Sequence, residues 1–278
     1  MAVILGIDIG GSTTKIAAFD GAGVSACLQV KATDQLTSLY GAIGHLLYRQ
    51  SLSLGDVERV ILTGVGASQV QGDVYGIPTT RVKEFEAIGR GGLLLSGLER
   101  AMVVSLGTGT AFVAADGQGA RHVGGSGVGG GTLVGLASRL LNESDPEVLA
   151  ALAEQGDLSR VDLSIADISG SEIPSLPFNA TAANFGSVKS GVTREDLALG
   201  LFNMVYQTVG TLAVFACRST GDTHIVVTGS LAALSPAGRL LGPVGELYGL
   251  NILIPERPAF ATAIGAAALF GEGTPGRI

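Results

Sequence analysis

Residues 4–20 read ILGIDIGGSTTKIAAFD, and the glycine pair inside this run decides the fold. An apolar strand enters Gly10-Gly11 and leaves again as Thr14 to Phe19, stopping at Asp20-Gly21. Two familiar phosphate loops are excluded. The Walker pattern closes on Gly-Lys-Ser/Thr, and the dinucleotide fingerprint spaces three glycines ahead of a helix. An Asp-Gly pair that ends an apolar run is a turn signal, so the stretch reads strand, tight glycine turn, strand. Asp8 stands just before the tip and Lys15 just beyond it.

The same pattern returns at residues 102–117, MVVSLGTGTAFVAADG. Setting Asp8 against Ser105 puts Gly10 on Gly107, and Asp20-Gly21 falls on Asp116-Gly117 with a slip of one residue. The chain therefore reads as a duplication in which a hairpin opens each half. The expected lobes are 1–98 and 99–278, and the alternation of strands and helices makes the fold class α/β.

Outward from the hairpins, Gln35 to Gln50 carries one apolar face of Leu36, Leu39, Tyr40, Ile43, Leu46 and Leu47 at helical spacing. Arg59 to Thr63 and Thr79 to Val82 read as strands, and Phe85 to Gly97 as a helix that Gly89, Gly91 and Gly92 weaken. In the second half GGSGVGGGT (124–132) precedes an apolar helix, Leu133 to Leu141. Asp145-Pro146 starts another helix in the N-cap and first positions, with Gly156 as its expected end. A Pro/Ser/Asn-rich loop spans 169–187. Thr193 with Asp196 forms a capping box for a long helix to about Ser219. His224 to Ser230 is a strand into a turn, and Ala259 to Phe270 a small-residue helix.

Bulk properties narrow the function classes. A chain of 278 residues with 46% hydrophobic residues can build two modest cores, and 43 Gly with 5% aromatics suits tight turns. A net charge of −7 without a Lys/Arg block argues against a nucleic-acid partner. Cys27 and Cys217 are far apart, which suits a reducing compartment. No basic region precedes the short N-terminal apolar strand, so a cytoplasmic location is expected, and the sequon Asn179-Ala180-Thr181 is a chance match. Leu197 to Ala216 is apolar but holds Asn203, Gln207, Thr208 and Thr211, so it is expected as a buried or interface helix rather than a membrane span.

A carboxylate beside a glycine turn can hold Mg²⁺, which bridges substrate phosphates, and Asp8 is placed for this. An ammonium at Lys15 can reach a transferring phosphoryl group. Two facing loops of N–H groups would wrap a triphosphate, and Gly129-Gly130-Gly131 opening a helix adds a third anion-friendly feature. The expected chemistry is phosphoryl transfer, which needs a base for the accepting hydroxyl. Glu84 and Glu86 are both candidates on the residues alone. His45, His122 and His224 show no metal-ligand spacing, and no Gly-x-Ser-x-Gly elbow with triad partners occurs.

GIDIGGSTTK, SLGTGT and IVVTGS together resemble the superfamily of actin, sugar kinases and Hsp70-type ATPases, whose fold is two duplicated domains clasping ATP. VKEFEA, VGGSGVGGGTLVGL and TAANFG narrow the resemblance to the type II pantothenate kinases. That resemblance implies Glu84 as catalytic base. It also implies nucleotide or phosphate contacts from Gly10, Gly11, Ser12, Thr13, Lys15, Gly107, Thr108, Gly109, Thr110, Gly129, Gly130 and Gly131, with Ser230 in the adenosine-side turn. It further implies a homodimer joined through the helix at 194–219, which would bring Thr181 near the neighbouring site as a substrate contact. Three positions depart from the family pattern, one of them Glu86, which stands where Asp is usual. His122 stands where Arg is common and Ala111 where Ser is common, and those types hold the carboxylate end of pantothenate; Arg121 is the nearest alternative cation. The expected activity is ATP- and Mg²⁺-dependent phosphorylation of the primary hydroxyl of pantothenate. Two alternatives stand: an acceptor without the carboxylate, such as pantetheine, and a nucleotide-dependent sensor or activator that phosphorylates nothing.

Overall fold

The computed structural model describes residues 2–20, 23–169, 173 and 176–272. Gly21 of the first Asp-Gly turn, and 170–172 with 174–175 of the Pro/Ser/Asn-rich loop, lie outside the described residues. The first half runs β1 (Val3–Ile9), β2 (Thr13–Asp20), β3 (Gly23–Lys31), α1 (Gln35–Gln50), β4 (Val57–Thr63), β5 (Thr79–Arg81) and α2 (Glu84–Ser96). The second begins β6 (Ala101–Leu106), β7 (Thr110–Asp116), β8 (Gly119–Ser126), α3 (Gly130–Leu141) and α4 (Pro146–Ala153). It continues with β9 (Leu163–Ser164), α5 (Ile165–Ile168), β10 (Thr181–Ala183) and α6 (Arg194–Thr220). It ends with β11 (His224–Thr228), α7 (Pro236–Tyr248), β12 (Asn251–Leu253) and α8 (Ala261–Glu272).

Two five-stranded sheets share one topology. Their orders are β3-β2-β1-β4-β5 and, read from the other side, β8-β7-β6-β11-β12. In each the first three strands are antiparallel and the last two join in parallel. The register makes the duplication explicit. Asp8 faces Lys15 on β2 and Thr63 on β4, while Ser105 faces Ala111 on β7 and Thr228 on β11. The tip from Gly107 to Gly109 is one residue shorter than that from Gly10 to Thr13, which accounts for the slip in the sequence echo.

Each sheet has an outer helical layer and an inner one. On the first, α1 buries Leu39, Ala42, Ile43, Leu46 and Leu47 against the outer face. Each large aliphatic side chain among these contributes about 1.5–3 kcal/mol. Leu36 departs from the expected stripe and is 41% exposed. The helix starts at Asp34, which accepts from Thr37 N–H at 2.7 Å, and stops at Ser51 in the left-handed region. On the second sheet the outer layer is α6 and α7, with α3 and α4 packed on α6. Among the described residues α6 is long and apolar enough to cross a membrane, yet 67% of its apolar window is buried in the fold. Phe202 and Tyr206 sit at its centre with no exposure.

The inner layer is an exchange. α2 packs on β6, β7 and β8 of the second sheet, and α8 packs on β1, β2 and β4 of the first. The glycines that weaken α2 as a helix are what lets it sit there. A Cβ on Gly92 would come 2.6 Å from Val103, and one on Gly89 would come 2.4 Å from Ala120. α4 ends at Ala153 rather than at Gly156, whose Cβ would fall 2.3 Å from the Glu195 carbonyl.

The capping box of α6 is formed: Thr193 Oγ1 accepts from Asp196 N–H, and Asp196 accepts from Thr193 N–H at 3.0 Å. Thr193→Ala is expected to cost about 1 kcal/mol, read as a shift in urea midpoint at unchanged slope. A loss below about 0.3 kcal/mol would show that tertiary packing alone fixes the start of this helix.

Candidate active site

The site is built where the inner faces of both sheets meet the start of α2. Asp8 lies on the face of β1 turned toward α8, opposite Lys15. The Lys15 Nζ is 4.0 Å from Asp8 Oδ2, and the two side chains are 10% and 13% exposed. Burial raises the Asp8 carboxyl above its ordinary range, with Lys15 pulling it back. Behind the carboxylate the chain leaves β4 through Gly64 at φ +85°, where a Cβ would fall 2.4 Å from Asp8 Oδ1. Glycine alone satisfies both the left-handed backbone and this approach.

Glu84 is the first residue of α2. Its approach is fixed by Val82, whose N–H donates to the Leu62 carbonyl at 3.0 Å and whose carbonyl accepts from the buried Thr63 hydroxyl at 3.2 Å. Burial pushes the Glu84 carboxyl up, the charge of Asp8 adds to this, and Lys15 opposes it. These three groups therefore share one electrostatic neighbourhood. The rival Glu86 turns away, pairing with Lys83 at 3.2 Å across side chains 43% and 83% exposed.

The two hairpin tips converge. Ser12 Oγ of the first is 3.3 Å from Thr108 Oγ1 of the second. Gly10 N–H donates to Thr13 O and Gly107 N–H to Gly109 O, both at 3.0 Å, which closes the turns. Gly11, Ser12, Thr108 and Gly109 are left exposed. Thr110 is buried, and its hydroxyl donates to the Val128 carbonyl at 2.7 Å.

The glycine triplet differs from its sequence reading. Gly130 and Gly131 N–H groups donate to the Gly107 and Thr108 carbonyls, both at 2.8 Å. A Cβ on Gly129 would meet Thr108 O at 2.8 Å, and one on Gly130 would meet Gly107 O at 2.9 Å. Two of the amides expected to face an anion are thus committed to bracing the second tip. Ser230 follows Gly229 in the turn whose Leu231 carbonyl accepts from the buried Tyr206 hydroxyl at 2.7 Å. The Leu231 side chain borders Gly130, so Ser230's turn adjoins the start of α3.

Ala111 and His122 lie on the second sheet's inner face, where Val113, opposite His122, packs in the cluster that contains Ile88 of α2. The His122 ring stacks on Phe85, with centroids 4.2 Å apart and planes 13° from parallel. Arg121 does not join them. Strand alternation sends it to the other side, where it lines a separate pocket of about 330 Å³ with Arg100, Asp116 and Asp222. Thr181 is engaged in its own chain: its hydroxyl donates to Asp162 Oδ2 at 3.3 Å and accepts from Asn203 Nδ2 at 3.2 Å. Asp162 also accepts from Phe185 N–H at 2.8 Å, so this buried carboxylate knots the TAANFG segment to α6.

Sequence reasoning did not single out Thr63, whose hydroxyl holds the approach to Glu84, or Phe85, which stacks on His122. Leu62-Thr63-Gly64 and Val227-Thr228-Gly229 are a second internal echo that would have pointed to Thr63. Among the described residues no group of three or more His, Cys, Asp and Glu is arranged for a metal ion. A nucleotide-borne Mg²⁺ keeps several waters and takes one or two carboxylates with substrate phosphates, and the desolvated Asp8 fits that donor set.

A family model described as Fumble matches residues 100–237. The chain is 32% identical over 231 residues to a type II pantothenate kinase from Staphylococcus aureus strain USA300, covering 78% of this chain and 85% of that one. In structure it is similar to the activator of the 2-hydroxyisocaproyl-CoA dehydratase from Clostridium difficile with bound ADPNP, at TM-score 0.70 and 18% identity, covering 96% and 93% of the two chains. It is also similar to a ROK family glucokinase from Streptomyces griseus in complex with glucose and AMPPNP, at TM-score 0.60 and 16% identity, covering 96% and 99%. At these identities the structural likeness shows the duplicated actin-like ATPase fold.

Proposed function

The chain belongs to the type II pantothenate kinase family and is an ATP-dependent kinase, and on that premise we propose that it phosphorylates the primary hydroxyl of pantothenate, the first step of coenzyme A biosynthesis. The observation that carries the reading is the convergence of the Ser12 and Thr108 tips beside a carboxylate, an ammonium and a second, desolvated carboxylate. The approach of the two tips to 3.3 Å supports a reading in which both contact one polyphosphate tail.

In this mechanism Glu84 takes the proton of the acceptor hydroxyl as that oxygen attacks the γ-phosphorus, the bond to the β-bridging oxygen breaks, and ADP leaves. Its raised affinity for a proton suits a base that must hold one and later release it to water. Lys15 neutralises charge on the transferring group, and Ser12, Thr108 and the tip amides orient the phosphates. Asp8 would hold Mg²⁺, which when bound neutralises phosphate charge. We assign Ser230 to the adenosine side. The exposed Leu212 and Phe215 on α6, at 37% and 55%, support a homodimer through that helix. The Cys217 thiol donates to the Asp222 carbonyl at 3.1 Å inside the core, so it is not presented at the surface as a ligand. A cytoplasmic location follows from the same reading.

Pantothenate is expected to accelerate ATP consumption by the purified chain with Mg²⁺ at least about tenfold over the acceptor-free rate, with stoichiometric phosphorylated product. Slow ATP loss that no alcohol accelerates would favour a sensor. Sedimentation equilibrium is expected to return twice the 28.0 kDa chain mass, and the chain mass itself would remove the dimer.

A further inference from the structure

Resting on the kinase reading above, we propose that Gln35 is a positioning residue for nucleotide binding: from the start of α1 its side-chain amide holds the Gly10 carbonyl and thereby turns the Gly11 N–H toward the polyphosphate. The duplication supplies the first argument. In both tips the first glycine closes the turn with its N–H, Gly10 onto Thr13 O and Gly107 onto Gly109 O, and its carbonyl is engaged from outside the hairpin. Each time the partner is the first residue of the helix that follows the third strand of its half, Gln35 of α1 and Gly130 of α3. α3 reaches the Gly107 carbonyl with a main-chain N–H at 2.8 Å. α1 has no glycine triplet to bring its backbone that close, and Gln35 Nε2 spans the gap, 3.5 Å from Gly10 O.

The surroundings are shaped for this amide. Ser38 Oγ donates to Gln35 O at 2.9 Å and lies 2.8 Å from Thr14 Oγ1, so the main chain at Gln35 is tied to the strand that leaves the tip. On the other side stands Gly66, in the loop after β4, where a Cβ would fall 2.9 Å from both Cδ and Oε1 of Gln35. A methyl group at 66 would displace the amide. Gln35 Oε1 itself is buried and has no hydrogen-bond partner. A buried carbonyl without a donor weakens the fold, so the residue is kept at a cost to the free protein and its use lies in the bound state.

The consequence for phosphate follows from peptide geometry. The Gly10 carbonyl and the Gly11 N–H share one planar trans peptide and point in opposite directions, so holding the first behind the tip aims the second out of it. Gly11 is exposed, on the same tip whose Ser12 meets Thr108. An anion that accepts from Gly11 N–H polarises this peptide and strengthens the bond from Gln35. The 3.5 Å contact is the loose, unliganded form of that chain of bonds.

The test measures the affinity for the ATP analogue ADPNP with Mg²⁺ by calorimetry, and steady-state kinetics with pantothenate, in the parent, Gln35→Met and Gln35→Glu. Gln35→Met keeps the length of the side chain and removes the donor and the unpaired oxygen together. It is expected to raise the Kd of ADPNP and the KM of ATP about tenfold. The KM of pantothenate should stay within about twofold of the parent value. The same variant should melt at or above the parent temperature, an outcome that a merely structural glutamine would not give. Gln35→Glu sets a carboxylate against the Gly10 carbonyl and should weaken ADPNP further than Gln35→Met. Unchanged ADPNP affinity in Gln35→Met, or a lower melting temperature with both KM values rising together, overturns the positioning role and leaves the kinase reading intact. A parent that binds ADPNP and loses it in the variants, yet phosphorylates no alcohol, overturns the kinase reading and leaves Gln35 in place.

Discussion

Glu84→Gln is expected to cut acceptor-dependent ATP turnover by about 10²- to 10⁴-fold while acceptor-free ATP loss stays near the parent value. The amide keeps the shape and the helix position but cannot accept the proton. Burial and Asp8 hold the Glu84 carboxyl above the ordinary glutamate range, so the acid limb of kcat/KM against pH should fall above that range in the parent. The same shift fixes a stability control. A carboxyl whose folded-state proton affinity is raised stabilises the fold at pH below its unfolded value, and that contribution is lost as pH rises through the folded value. At neutral pH the ionised Glu84 is therefore a cost to folding, and Glu84→Gln should melt at or above the parent temperature. An inactive variant that also melts early would have lost structure rather than a base. Turnover within a few fold of the parent would move the proton acceptor elsewhere, with Asp8 the next carboxylate in that neighbourhood.

What the sequence made legible, and what it did not, follows from how far each signal is local. The hairpins, α1 with its Asp34 cap, and α6 with its capping box are written in adjacent residues, and each appears within a residue or two of its expected bounds. β3 was passed over although Val24, Ala26, Leu28 and Val30 alternate along it with Ser25, Cys27, Gln29 and Lys31, whereas β8, Gly119–Ser126, carries little apolar alternation and is an edge strand held by a single antiparallel partner. α7 carries Pro243 within it, against its helical propensity, and is kept by packing on α6 and β12. The residues of the site divide in the same way. Asp8 and Lys15 belong to one hairpin and could be read from it. The choice of Glu84 over Glu86 depends on which way the first turn of α2 faces, and the Phe85–His122 stack joins residues 37 positions apart in the sequence. The glycine triplet shows the converse limit: composition marked it as special, but its amides turned out to serve the neighbouring tip.

The inner helices carry the other large expected effect. Gly91→Ala and Gly265→Ala should each destabilise the chain by about 3 kcal/mol or more, although helix propensity alone favours alanine over glycine by about 1 kcal/mol. A Cβ on Gly91 would stand 1.9 Å from the Ala261 carbonyl oxygen, and one on Gly265 would stand 1.9 Å from the Ala87 carbonyl oxygen and 2.5 Å from Gly91 N. These neighbours are backbone atoms of the opposing helix, so no side-chain rotation relieves the overlap. α2 and α8 must separate, and each is also pressed on a sheet: a Cβ on Gly6 of β1 would fall 2.1 Å from the Ala263 carbonyl. Separation at the crossing therefore displaces the start of α2, and Glu84 with it, relative to Asp8. The expected result is a melting temperature lower by about 6 °C or more, with kcat falling alongside it. Because one separation relieves both overlaps, the double variant should cost clearly less than the sum of the two singles. Gly44→Ala on exposed α1, where a Cβ would meet nothing within 4 Å, is the matched control and should gain about 0.5–1 kcal/mol. If Gly91→Ala were to melt with the control rather than below the parent, the two helices would not be in backbone contact, and the lobes would need another way of keeping the base in register with the phosphate tips.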